Sequence, residues 1–167
     1  MDTKAIIKSQ YYAALAMLEQ AIDKCPADLW NHREHKNRSW HIAFHVLFYT
    51  CFYLSESADS YVPWEGERDE VRSLGMEEGA GIDTIEPYTQ AEMLDFVQHT
   101  QAWSEEAVDA LDLESESGFY WLPFNKLELQ FYNIRHLQLH TGELCERLGT
   151  QAGIDVGWVG MKPTTED

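Results

Sequence analysis

The stretch Tyr132-Asn-Ile-Arg-His136-Leu-Gln-Leu-His140-Thr-Gly-Glu143 decides how this chain is read. Leu129, Ile134, Leu137, Leu144 and Leu148 recur through and around it as the apolar side of a helix does. In such a helix His136 and His140, four residues apart, share a face one turn apart. Two imidazoles so placed can bind one transition metal without distorting the backbone. A third ligand must then come from elsewhere. The best source is Ser39-Trp-His41-Ile-Ala-Phe-His45-Val-Leu-Phe48, which is apolar, helical in pattern and carries two histidines at the same spacing. A buried imidazole needs a partner for each polar nitrogen. For His41, near the helix start, a hydrogen-bonded core histidine is the preferred reading.

Working outward, a first helix is expected from Thr3 to about Lys24. Ile6, Ile7, Tyr11, Leu15, Leu18 and Ile22 form its stripe, Asp2 or Thr3 caps it, and Pro26 ends it. Residues 26–38 form a polar connector in which His32 and His35 read as solvated. Ser39 is the expected cap of a second helix reaching about Ser57. That helix is apolar on nearly every side, as a buried helix is. From 58 to 87, Pro63, Gly66, Gly75, Gly79, Gly81 and Pro87 break the pattern. A connection that long is commonly functional or wraps over a site. A short helix near Arg68–Leu74 is expected within it, and Tyr61 and Trp64 pin it to the core.

Thr89-Gln-Ala-Glu92 is a capping box that opens a third helix running to about Leu111, lined by Met93, Phe96, Val97, Thr100, Trp103 and Val108. Phe119–Phe124 is a short aromatic, strand-like lead-in. The fourth helix is expected from Lys126 to Leu148, with Gly149 as its cap. Part of the tail beyond 150 should dock on the bundle. Four long helices without strand runs or repeats predict an all-α chain, a single four-helix-bundle domain over 1–167. The long connection between the second and third helices permits a crossover topology.

Composition narrows the function. Of 167 residues, 44% are apolar, and six Trp, eight Tyr and seven Phe suit a core or a pocket between helices. A net charge of −17 with no basic stripe argues against nucleic acid and anionic membranes as partners. The most apolar stretch, Ile42–Leu54, falls short of the about 20 residues a membrane span needs, and no signal peptide is visible. A cytoplasmic protein is expected. Cys25, Cys51 and Cys145 are odd in number and widely spaced, which suggests neither disulfides nor a cysteine zinc site.

The helix order and the two histidine segments resemble the DinB-like (DinB/YfiT) superfamily of metal-dependent bundle proteins, over about Ile6 to Gly149. The specific part is Ile42-Ala-Phe-His45-Val-Leu together with His136-Leu-Gln-Leu-His140-Thr-Gly-Glu143. Glu143 departs from the Gln usual in that family. The resemblance implies a divalent metal held by His45, His136 and His140 with open positions for water, zinc and nickel being the leading choices. It also implies thiol-dependent transfer or hydrolysis of amide-type bonds, with a low-molecular-weight thiol as one substrate class, and a homodimer, which the surplus of aromatic residues also suggests.

The residues support metal chemistry independently. Imidazole suits several transition metals, and three protein ligands plus water is the pattern of catalytic zinc. Ligand histidines also need an acceptor for their second nitrogen, and Glu143 and Asn133 are the candidates. There is no G-x-S-x-G elbow, no glycine-rich phosphate loop and no cysteine in an evident cationic setting. If the chain is an enzyme, a metal-activated nucleophile remains, with Glu143 in the catalytic machinery, orienting a ligand histidine. A metal- or small-molecule-binding bundle without turnover, and a bundle whose histidines only fill the core, are the alternatives.

Overall fold

The computed structural model describes residues 2–75 and 81–163, so Gly79 lies outside the described residues. The chain is all-helical there: α1 (Thr3–Asp23), the four-residue α2 (Ala27–Trp30), α3 (Ser39–Leu54), α4 (Gln90–Ala110) and α5 (Lys126–Ala152), with three short 3-10 turns at Ala58–Ser60, Asp69–Val71 and Ile82–Thr84. One isolated bridge, Glu116 to Asn125, is the extent of β pairing found among the described residues; Phe119–Phe124 is turn rather than strand.

Local chemistry explains most helix ends. The Asp2 carboxylate accepts from the Ala5 amide, and Thr89 and Glu92 form the reciprocal capping box expected for α4. Two expected caps move. Ser39 is the first residue inside α3 and caps nothing; its hydroxyl donates to the Leu29 carbonyl and accepts from Arg147. The α5 helix runs past Gly149 to end at Gly153, whose φ of 65° is the left-handed conformation glycine adopts at little cost. Two residues of the connector expected over 26–38 fold into α2 and are buried: Leu29, and Trp30, whose indole donates to the Tyr88 carbonyl at 2.7 Å. Trp103 and Ile6 point outward instead of lining the core. On α4 the buried stripe steps from Thr100 to Ser104 and Ala107, which turns Trp103 to the rim.

Cross-links between helices set the topology. Arg147 reaches Asn37 and Ser39, Asn133 donates to the Thr50 carbonyl, and Lys126 donates to the Ser55 and Glu56 carbonyls. As numbers rise on α3 they fall on α5, so the two are antiparallel, with His45 opposite the middle of α5. Lys8 with Asp109, and Gln90 with the Ile22 carbonyl, make α1 and α4 antiparallel. The Phe44–Phe96 ring contact and the Cys51–Thr100 contact make α3 and α4 parallel.

Parallel neighbours cannot be joined by a tight turn. Residues 55–89 must return along the whole of α3 before α4 can start, which is the physical reason for the long connection. On that path Tyr61 packs on Phe48 and Phe52, Trp64 stacks on Phe96 with ring centroids 4.4 Å apart, and Val71 is fully buried. Helix α3 thus has α4, α5 and the crossover around it, and this is why its sequence is apolar all round. The tail beyond α5 docks on α1: Gly157 exchanges two hydrogen bonds with the Gln20 side chain, and the Lys162 amide donates to Ser9.

Candidate metal centre

The antiparallel register of α3 and α5 brings His45 against the His136–His140 pair. Ring centroids lie 5.3 Å apart for His45–His136, 4.9 Å for His45–His140 and 4.7 Å for His136–His140. One ring nitrogen from each histidine falls within 4.8 Å of the others. This is the arrangement the i, i+4 spacing predicted, completed by a third histidine from the other helix.

Hydrogen bonds fix which nitrogen two of the three present. His45 Nδ1–H donates to the Arg72 carbonyl at 2.8 Å, and His140 Nδ1–H donates to the Glu143 carboxylate on the next turn. In both rings Nε2 is left as the free lone pair. An imidazole held through one nitrogen by a carbonyl or carboxylate is the usual state of a metal ligand. His136 has no such partner, and its Nδ1 is buried without a hydrogen bond. A buried polar atom left unpaired is costly in an apo core, and coordination of an ion through that atom would compensate it. The donor set therefore fits a cation that favours nitrogen ligands.

The electrostatics agree. Burial, opposed by the bond to Arg72 and reinforced by the neighbouring histidines, pushes the His45 imidazole down to about 3. Burial and then His140 push His136 down to about 4. Both are neutral at pH 7 and need no deprotonation before binding a cation. His45 is 7% exposed, whereas the His140 side chain keeps 12% of its surface. The α3 side forms a buried wall of the cluster. Tyr49 lines the wall, its ring 4.8 Å from that of His45 and 5.5 Å from that of His136. A groove of about 600 Å³ runs along α5 past Leu139, Gly142, Glu143 and Glu146 and borders Glu143.

His41 sits one turn before His45 and is drawn elsewhere. Its Nε2–H donates to the Val71 carbonyl at 2.9 Å, so it serves the crossover, the preferred reading of this residue. Asn133 does not support a histidine: its amide donates to the Thr50 carbonyl and ties α5 to α3. His32 and His35 lie in the connector before α3, and His35 Nε2 pairs with Gln151. Cys51 is buried and its thiol is pushed up to about 12 by burial, which leaves it inert as a nucleophile at neutral pH. A Cβ at Gly142 would meet nothing within 4 Å, so no packing demand explains glycine there.

The long connection reads in sequence as one that wraps over a site, but the atoms it contributes are not legible there. The acceptors of His41 and His45 are main-chain carbonyls of Val71 and Arg72, which carry no side-chain signature. Proximity of two consecutive carbonyls to two histidines one turn apart follows only from the path of the chain. Among the described residues no helix is long and apolar enough to cross a membrane. Compared with protein-family models, curated proteins and solved structures, the chain matches none.

Proposed function

We propose that His45, His136 and His140 hold one divalent cation, zinc or nickel first, and that the protein is a metal-dependent enzyme for a small molecule, a thiol transferase or a hydrolase of the DinB-like four-helix-bundle kind. The observation that carries this is the convergence of three imidazoles, two already held through Nδ1 by outer acceptors. Three ligands from one protein leave a coordination position open, as catalytic sites do. A bound divalent cation lowers the pKa of a coordinated water or thiol and so supplies a nucleophile near neutral pH.

The chain's own groups serve that chemistry. The Arg72 carbonyl and Glu143 hold two ligand rings in one tautomer, and the apolar setting of α3 keeps water from the inner side of the site. Tyr49 gives an aromatic surface beside two of the ligands, against which an apolar electrophile can lie. The reading includes a homodimer, for which Phe131 and Leu139, two turns apart and exposed on α5, offer apolar surface.

Elemental analysis of protein purified without a histidine tag should find one equivalent of metal. His45→Ala, His136→Ala and His140→Ala should each lose most of it while the helical circular dichroism persists. Full metal occupancy in all three variants would end the assignment. Turnover with a panel of thiols and electrophiles should disappear on chelation and return with added metal; stoichiometric metal without turnover across the panel would reduce the reading to a binding protein. Light scattering that gives the monomer mass of 19.3 kDa across the micromolar range would remove the dimer.

A further inference from the structure

Among the described residues, the crossover that covers α3 has little regular structure of its own, yet one of its carbonyls must stay in place to hold His45. Among the described residues, the regular element next to that carbonyl is the short turn Asp69–Val71. What fastens the segment is a carboxylate. The Glu67 side chain is 2% exposed and accepts from three donors: Arg72 Nε at 2.8 Å, Arg72 Nη2, and the Tyr61 hydroxyl. Both donor residues rest on α3 just beyond His45. The Arg72 guanidinium lies 5.0 Å from the centre of the Phe48 ring, and Tyr61 packs on Phe48 and Phe52 at 5.5 and 5.4 Å. Glu67 therefore pulls the chain on either side of itself onto the helix face next to the candidate ligand.

We propose that Glu67 is a positioning residue for the metal centre: by clamping Arg72 it places the carbonyl that fixes the tautomer and ring orientation of His45. This rests on the metal-site reading above. A buried carboxylate with three donors has no cheap alternative arrangement, because each lost donor leaves a charged acceptor unpaired in an apolar setting. The clamp is thus closed or broken, with little between. When it is broken, the Arg72 carbonyl is free to leave, and His45 Nδ1 loses the acceptor that keeps its proton there. The ring can then place a proton on Nε2, the nitrogen required for coordination. Outer partners of this kind typically contribute about 10- to 100-fold to metal affinity. Glutamine at this position keeps the size but offers one acceptor oxygen and two amide hydrogens where three donors converge.

The test uses the full chain without metal, labelled with ¹⁵N at histidine, and zinc alone as the probe. In the wild-type protein, long-range ¹H–¹⁵N spectra should show His45 as a single tautomer protonated at Nδ1. In Glu67→Gln and Glu67→Ala, the His45 nitrogens should shift toward a mixture of tautomers, and zinc should bind about 10- to 100-fold more weakly. Asp69→Asn, which alters only the exposed ion pair with Arg72, should leave both readouts at the wild-type value. Should Glu67→Ala fail to fold, Glu67→Gln decides. A wild-type His45 tautomer and wild-type zinc affinity in the Glu67 variants would overturn the proposal. Failure of the wild-type protein to bind zinc would instead overturn the metal reading, while the tautomer comparison would still judge Glu67.

Discussion

Acidification of the metal-free protein should cost it stability through the histidine cluster. The ordinary histidine value is 6.5, and the fold lowers it to about 3 for His45 and about 4 for His136, chiefly by burial. Between those limits the unfolded chain takes up protons that the native state refuses. Each neutral imidazole therefore contributes stability that is present above pH 6.5 and is lost as pH falls toward the folded value. At pH 5 the unfolded chain is about 1.5 units below its histidine midpoint, so each of the two residues costs roughly 2 kcal/mol and the pair roughly 4 kcal/mol. That is a large part of the about 5–15 kcal/mol that stabilises an ordinary domain. The native state cannot escape by protonating both. Two positive rings with centroids 5.3 Å apart would repel by about 3 kcal/mol at an effective dielectric constant near 20. The assay is urea unfolding with chelator at pH 7.5 and pH 5, for the wild-type protein and His45→Asn. Asparagine keeps an amide donor for the Arg72 carbonyl but does not titrate. The wild-type protein should lose roughly 2 kcal/mol more than the variant over that interval. Equal losses, or a wild-type protein that gains stability on acidification, would refute the reasoning.

Three further outcomes follow from single contacts. Glu143→Gln removes the carboxylate that holds His140 and should weaken zinc binding about tenfold while leaving the fold intact; unchanged affinity by competition with a chromophoric chelator would show the carboxylate dispensable. Lys126 is 3% exposed and donates to the carbonyls of Ser55, Glu56 and Ser117, so Lys126→Met strands two buried acceptors and a third that is partly buried. It should destabilise the protein by about 3 kcal/mol or more in denaturant titration, and a change below about 1 kcal/mol would contradict the role given to it. Gly118 has a φ of 83°, and a Cβ there would come within 2.0 Å of the Glu56 carbonyl oxygen, so Gly118→Ala should lower the thermal midpoint sharply. A midpoint within a degree of the wild-type value would show that this turn relaxes freely.

Some features of the chain belong to short-range rules and are legible in the sequence alone. The starts of α1 and α4 follow from Asp2 and from Thr89 with Glu92, because capping depends on atoms three residues apart. The His136–His140 pair follows from helical geometry, and the all-round apolarity of Ser39–Leu54 already marks a helix with neighbours on every side. The short-range signal fails where contacts come from far along the chain. Ser39 carries a capping residue's chemistry, yet Leu29 and Arg147 claim its hydroxyl. Trp103 fits a three-residue step from Thr100, and only packing against the other helices chooses Ser104 in its place. Sequence names two histidines on α3 and prefers His41 as the core residue; the physical reason for the division is the antiparallel register with α5, which directs His45 to the cluster and leaves His41 to the crossover. The Arg72 carbonyl and the buried Glu67 clamp are invisible to sequence for one physical reason. A carbonyl is present at every residue, and a carboxylate in an irregular, polar-looking segment reads as solvated until the parallel packing of α3 and α4 sends that segment back across the helix face.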